Sequence, residues 1–526
     1  MTPLPPPPKR RLPIGIQTFR HIREDGCYYV DKTGLAIDLI ESPGKAFFLS
    51  RPRRFGKSLL VDTLKELFEG NQALFTGLAA EMRWDWSQRY PVIRISFGGG
   101  VVRQTEELGP RIDDLLAVCA AQHDVTLTRQ SLSGRFEELI RLLHAQSGER
   151  VVVLIDEYDK PILDNIDRPE MAREMREGLK NLYSVLKDAD AHLKFVFLTG
   201  VSKFSKVSLF SGLNHLTDIT LDPEYSALCG YTDEDLDTVF APELPGLDRD
   251  EIRRWYNGYN WLGESVYNPF DVLLLFRKRR FKPYWFETGT PTFLVKLLTE
   301  RRQFTPDLGR LMAPETLLST FDVDTIPTEA LMFQAGYLTI ASERARPGRT
   351  DFQLKYPNQE VQASLNDVLL QSLSGDLSAP GPQISRLWDL LEAGDPLALR
   401  ELFHAFFASI PNDWYRNSPI AQYEGYWASI FYSHFAALGL DIRVEDTTNK
   451  GRIDMVVLTC GAVWIFEFKV VELVPEGKAL AQIQAKGYAE KYRDRGEPIH
   501  LIGVEFSREA RNLAAFEVET LPYMPA

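Results

Sequence analysis

"FLSRPRRFGKSLL", residues Phe48–Leu60, decides how the first half of the chain is read. It ends in Gly56-Lys57-Ser58, as a phosphate-binding loop does. The usual pattern is G-x-x-x-x-G-K-[ST]. Counting back five places from Gly56 reaches Arg51, not glycine. Three readings are open: a working nucleotide site with an unusual first residue, a decayed one, or a coincidence. The flanks supply context. "KAFFLS" (Lys45–Ser50) is a short apolar run between Pro43-Gly44 and Arg51-Pro52, which predicts a buried strand. "KSLLVDTLKELFEG" has Leu59, Leu60, Leu64, Leu67 and Phe68 at helical spacing and stops at Gly70. Strand, tight loop and helix are what a phosphate loop requires. In such a loop backbone N–H groups turn to the β-phosphate. Lys57 would reach the β- and γ-phosphates of ATP, and the Ser58 hydroxyl would bind Mg²⁺.

A second element strengthens the first. "VVVLIDEYDKPILD" (Val151–Asp164) places Asp156 and Glu157 at the end of a buried strand. Asp156 there completes a Mg²⁺ shell with Ser58, and Glu157 can polarise an attacking water. Acids commonly end strands, but this pair follows five apolar residues, roughly a hundred positions past a Lys-Ser loop, and the joint pattern is far rarer. Thr199 ends the "KFVFLT" strand, as a γ-phosphate sensor or equally as a strand-end cap. Arg53 and Arg54 are basic loop residues suited to a phosphate, in this subunit or a neighbouring one. "YYVDKTGLAIDLIES" (Tyr28–Ser42) predicts a short strand and a helix, "YPVIRISFGGG" a strand, and residues 104–148 helices. Apolar runs alternating with helices indicate an α/β fold with a parallel sheet covered on both faces.

The chain has 526 residues, for which about three domains is the prior. At 44% hydrophobic and 25% charged it is globular in composition. Its net charge of −13 excludes an overall basic footprint for nucleic acid. It leaves room for local clusters such as "RPRRFGK" and "RKRRFK" (Arg277–Lys282), the second read as a solvated helix end. Four scattered cysteines and eight histidines without ligand spacing disfavour zinc and disulfides and suit a reducing, cytoplasmic setting. No apolar run reaches membrane-spanning length, so no membrane partner is expected. The expected organisation is a flexible Pro-rich tail at 1–11, a P-loop domain at 12–230, and a helical, winged-helix-like region at 231–373. A linker at 374–383 and a last domain at 384–526 follow.

That last domain carries a second constellation. "GRIDMVVLTCGAVWIFEFK" (Gly451–Lys469) reads as two strands turning at Cys460-Gly461. A two-residue turn opposes Asp454 to Glu467, Val456 to Ile465, Leu458 to Val463 and Arg452 to Lys469, all on one face. Carboxylates so opposed repel unless a cation lies between them, and hard oxygens suit Mg²⁺ or Mn²⁺. The bland alternative is a salt-bridged patch, Asp454 with Arg452 and Glu467 with Lys469. Lys469 can orient or deprotonate a metal-bound water. Glu424, on the edge of an amphipathic helix in "SPIAQYEGYWASIFYSHFAALGL", can face these acids or simply favour a helix start. Gln482, Lys486 and Tyr488 on "ALAQIQAKGYAEKY" offer polar groups to a nucleic-acid backbone, though such residues are more often solvated.

At this point the residues resemble known families. About residues 12–290 are similar to the bacterial AAA-ATPase-like family through "LPIGIQTF", "YYVDKTGLAIDLIE", "FFLSRPRRFGKSLL", "VVVLIDEYDKPILD", "WYNGY", "YNPF" and "YWFETGTPTFL". In that family the loop itself reads R-P-R-R-F-G-K-S, so the resemblance makes Arg51 a signature and not a lesion. About residues 420–515 resemble the PD-(D/E)xK nuclease superfamily through Glu424, "GRIDMVV", "IFEFK", "QIQAKGYAEKY" and "LIGVEFS". This implies a restriction-endonuclease-like α/β domain. It also implies Mg²⁺-dependent phosphodiester cleavage by Asp454, Glu467 and Lys469, with Glu424 as accessory acid. Ile453 stands where the superfamily usually has Pro. The expected function is an ATP-binding ATPase coupled to a metal-dependent nuclease, with nucleic acid, DNA first, and further copies of the chain as partners. The alternative is a nucleotide-regulated switch whose nuclease-like domain holds no metal.

Overall fold

The computed structural model describes residues 9–203, 216–287, 305–319, 327–374, 380–410, 424–459 and 461–522, with Leu294, Leu297, Leu298 and Arg301 between them. The chain forms two compact units, Met1–Gly289 with Leu311–Asn358, and Thr290–Arg310 with Gln359–Ala526.

In the first unit the predicted apolar runs are strands. They are β1 (Ala46–Ser50), β2 (Val92–Ser96), β3 (Val151–Asp156), β4 (Leu193–Gly200) and β5 (Leu216–Asp218). Among the described residues they form an all-parallel sheet in the order β2-β3-β4-β1-β5. β1 and β3 are buried along their whole length, as expected of strands covered on both faces. Helix Lys57–Phe68 packs on β2, β3 and β4, and helices Thr105–Gln122 and Leu132–Ser147 pack on β2 and β3. The chain leaves β1 for the far edge strand β2, and leaves β4 to cross over to β5 on β1's other side. The carboxyl ends of the neighbouring strands β1 and β4 therefore border the crevice where such sheets bind ligands. The short strand expected at Tyr28 is absent. Only a single Arg11–Cys27 bridge forms there, because Asp31 bonds the Thr33 amide and hydroxyl and starts helix Thr33–Glu41 instead.

The same unit holds a small antiparallel sheet in the order β6-β8-β7, from β6 (Met312–Pro314), β7 (Thr339–Arg346) and β8 (Arg349–Lys355), beside helix Thr328–Ala335. The aromatic run "RRWYNGYNW" is helical only through Tyr256. From Asn257 it is an irregular segment, with Tyr259 bridged to Val266.

The second unit is built on a mixed sheet, β13-β12-β11-β10-β9. Its strands are β9 (Asp441–Thr447), β10 (Arg452–Thr459), β11 (Ala462–Val471), β12 (Ile499–Ser507) and β13 (Asn512–Leu521). Met455, Val457, Trp464 and Phe466 share a core with Phe403, Phe431 and Phe435. Val456, Leu458, Val463 and Ile465 share another with Ile483 and Tyr488. The hairpin has the expected register from Met455–Phe466 to Thr459–Ala462. Cys460, in its turn, lies outside the described residues. Beyond Met455 the strands part: β10 continues against β9 and β11 against β12. Asp454 and Glu467 sit one step past the last pair, at the mouth of this fork. Ile453 packs in the same core as Val456, so the strict alternation expected for β10 breaks at Asp454. Opposite it on β9, Glu445 takes a left-handed φ of +53°.

Candidate nucleotide and nuclease-like sites

The loop after β1 is held by its bulky residues. Arg51 is fully buried, and its guanidinium donates to the carbonyls of Ser50 (2.9 Å), Thr220 (3.0 Å) and Tyr225 (3.2 Å). It also stacks 4.0 Å from the Trp261 ring centroid. Burial pushes its pKa down to about 10, against the pull of Cys229 and Asp218, so it stays charged at neutral pH. Phe55 is equally buried, edge-on to Tyr259 at 4.7 Å and Trp261 at 5.5 Å. Trp285 donates to the Arg53 carbonyl at 3.0 Å. Side-chain tethers thus do at the loop entrance what a glycine does by flexibility in the usual motif. At its exit Arg54 and Gly56 are left-handed, at φ +68° and +91°, and Gly56 caps helix Lys57–Phe68. This brings Lys57 and Ser58 to the helix start, where the dipole favours an anion.

A cavity of about 520 Å³ opens here. Its polar lining includes Arg53, Arg54, Lys57, Ser58, Glu157, Asp159 and Lys160, and its apolar lining Ile16, Ile22, Tyr231, Phe270 and Leu273. Lys57 is 6% exposed, and its ammonium bonds the Arg51 and Pro52 carbonyls, both at 2.9 Å. Burial lowers its pKa and Asp156 pulls it back up. The Arg54 guanidinium lies 4.7 Å from the Phe270 ring centroid. Buried Asp156 accepts the Thr199 hydroxyl at 2.7 Å. Glu157 turns at φ +54°, and burial followed by Asp156 raises its pKa. Two residues were missed. Asp159, 1% exposed, accepts the amides of Val201 and Ser202 and the Ser202 hydroxyl, tying the loop after β4 to β3. Lys160 donates to the Gly100 carbonyl at 2.7 Å and pairs with Asp164. The signal was in "DEYDKPILD", where Lys160 and Asp164 stand four apart.

In the second unit Glu467 is 1% exposed. Its Oε1 accepts Lys469 Nζ at 2.9 Å and Gln482 Nε2. Its Oε2 is buried with no hydrogen-bond partner among the described residues. Burial, then the Asp454 charge, push its pKa up to about 7 against the pull of Lys469. Asp454 Oδ2 accepts the Phe468 amide at 2.8 Å across the fork. Asp454, Glu445, Lys469, Tyr432, Phe468 and Phe506 line a cavity of about 230 Å³. Arg452 pairs with Glu445 at 2.9 Å. Tyr488 is 2% exposed and donates to the Arg452 carbonyl at 2.7 Å, supporting the start of β10, while Lys486 is exposed. Glu424 opens helix Glu424–Ala437, and its side chain lies outside the described residues. Among the described residues no group of three or more His, Cys, Asp or Glu is arranged to hold a metal. Asp454 and Glu467 nevertheless fit one hard divalent cation. Both are oxygen donors, and a buried carboxylate oxygen without a partner is an acceptor awaiting one.

Sequence comparisons agree with both halves. A family model described as predicted AAA-ATPase matches residues 13–210, and one for the PD-(D/E)XK nuclease superfamily matches residues 422–516. A protein of Azotobacter chroococcum mcd 1, described as "Uncharacterized protein in vnfD 5'region", is 64% identical over 514 residues, covering 98% of this chain and 99% of that protein. Among the described residues no helix is long and apolar enough to cross a membrane. An AAA-ATPase-like domain precedes a PD-(D/E)XK domain in one chain, and the protein belongs to the family of AAA-ATPase-like proteins that carry this nuclease-superfamily domain.

Proposed function

We propose that the protein binds and hydrolyses ATP in its first unit and cleaves phosphodiester bonds of DNA with Mg²⁺ in its second, the nucleotide state gating cleavage. One observation carries the nuclease reading: the partnerless buried oxygen of Glu467, beside Asp454 at the mouth of the fork. Asp454 and Glu467 would hold Mg²⁺, or Mn²⁺, which activates water and draws charge from the scissile phosphate when bound. Lys469, kept a cation by Glu467, would exchange that bond for the developing phosphate charge and orient the attacking water, whose proton leaves to solvent. Gln482 keeps Glu467 in one orientation, and Lys486, exposed on the same helix, would contact the nucleic-acid backbone. In the first unit Lys57 would leave the carbonyls of Arg51 and Pro52 for the β- and γ-phosphates. Ser58 and Asp156 would hold Mg²⁺, Glu157 would orient water, and Thr199 would report the γ-phosphate through Asp156.

The test is cleavage of several DNA and RNA forms with Mg²⁺, with and without ATP, by wild type, Lys57→Ala and Asp454→Ala. We expect Asp454→Ala to lose about a hundredfold or more, and Lys57→Ala to remove the response to ATP. Equal cleavage by wild type and Asp454→Ala sinks the nuclease reading. The Glu467–Lys469 ion pair, at 2.9 Å, satisfies one Glu467 oxygen within the protein and favours the second reading, a nucleotide-regulated switch. Calorimetry with Mn²⁺ separates the two: heat that vanishes in Glu467→Gln supports the nuclease, and no heat in the wild type supports the switch.

A further inference from the structure

The run "LIGVEFS" (Leu501–Ser507) has no part in the chemistry above, yet it lies directly beside it. β12 runs parallel to β11, with Gly503 next to Glu467 and Glu505 next to Lys469. Helix Lys478–Lys486 lies on this part of the sheet. It comes so close that a Cβ on Gly503 would stand 2.3 Å from the Leu480 backbone nitrogen. No other residue leaves the helix at that height. Glu505 is fully buried, and its carboxylate accepts the amides of Glu476 (2.6 Å) and Lys478 (2.8 Å) at the start of the helix. Burial raises its pKa, but the amides of Glu476, Lys478, Gly477 and Ala479 outweigh burial and hold it below the usual carboxylate value. One buried anion therefore collects the free N–H groups of the first turn. Gln482, one turn further along, donates to Glu467 Oε1.

We propose that Glu505, with Gly503 beside it, is a positioning residue that fixes the start and height of helix Lys478–Lys486 and so aims Gln482 at Glu467. It touches neither substrate nor metal. It acts through Gln482, because a rigid helix pinned at Lys478 carries residue 482 over the sheet in one place. The inference rests on the nuclease reading for its kinetic arm, and its structural arm is independent of it.

The test uses the full chain. Amide hydrogen exchange at Glu476–Ala479 is expected to speed up about tenfold or more in Glu505→Ala, with β9–β13 still protected. In cleavage assays kcat is expected to fall about tenfold with KM unchanged, as when an interaction acts only in the transition state. Combining Glu505→Ala with Gln482→Ala is expected to cost little beyond either alone. Gly503→Ala, which lifts the helix with Glu505 intact, reproduces the kcat loss and the same non-additivity, and serves if Glu505→Ala does not fold. Losses that multiply in the double variant overturn the proposal, as does unchanged exchange at Glu476–Ala479. Exchange that rises throughout the sheet also overturns it, since Glu505 then only stabilises the fold. A wild type that cleaves no substrate overturns the nuclease reading instead, and the exchange arm still decides the tether.

Discussion

Arg51 stands where a phosphate loop usually has glycine, and its guanidinium bonds the carbonyls of Ser50, Thr220, Tyr225 and Ser226. Restoring the common pattern is therefore predicted to harm the protein. Arg51→Gly removes the guanidinium donors from those carbonyls, of which Tyr225 keeps the Leu228 amide, and empties the space over Trp261, at about 1–3 kcal/mol for each buried group left unpaired, partly relieved by water. A loss of about 3 kcal/mol in the first unit, read by denaturant unfolding, is expected. Arg51→Lys recovers only a fraction, because a point donor cannot reach several carbonyls or stack as a planar guanidinium does. A neutral Arg51→Gly removes the strut account. At this scale the sequence named the residue and its oddity but not its task. The partners of Arg51 come from Ser50, Thr220, Tyr225 and Trp261, brought to it only when β5 and the segment after Tyr256 fold around the loop. Asp159 escaped notice for the same reason, since its partners Val201 and Ser202 follow a different strand.

Among the elements, the fork between β10 and β11 was half legible. Turn chemistry at Gly461 set the register, and the ladder from Met455–Phe466 to Thr459–Ala462 follows it. The parting of the strands was not legible, because it depends on β9 and β12 each claiming one arm. Helix Glu424–Ala437 covers one face of that sheet and holds His434, fully buried against Phe403 and Phe406 at 5.2 and 4.5 Å between ring centroids. Nδ1 donates to the Ile430 carbonyl at 2.8 Å, and Nε2 has no partner among the described residues. Burial drives its pKa from 6.5 down to about 4. The folded state thus keeps the ring neutral while the unfolded chain takes up a proton below pH 6.5. Stability present above that pH is lost as pH falls towards 4, by about 2 kcal/mol between pH 7 and 5. His434→Phe is expected to flatten this acid limb in unfolding experiments on the second unit. An unchanged slope between pH 7 and 5 means that His434 does not titrate between the two states as its burial requires.

At the scale of the molecule, two units with separate cores carry two sites of different chemistry. The constellations were readable because each is compact in sequence: a loop and one strand end for the first, a single hairpin for the second. Which stretches share a core was not readable, since residues 311–358 join the first unit while 290–310 join the second. A ligand that binds only the folded form of one unit stabilises that unit alone, by about 2.7 kcal/mol at a hundred times its Kd. That corresponds to an increase in Tm of about 4 °C for the larger first unit and about 7 °C for the second. Differential scanning calorimetry is therefore expected to resolve two transitions. ATP, added at a fixed Mg²⁺ concentration, should raise only the one that Arg51→Gly lowers, and Lys57→Ala should abolish that shift. Mn²⁺ without nucleotide should raise only the one whose acid limb His434→Phe flattens, and Glu467→Gln should abolish that shift. A nucleotide that moves both transitions together would instead place the gating in the folded-state energetics of the whole chain, and a single transition moved by either ligand would refute independent units.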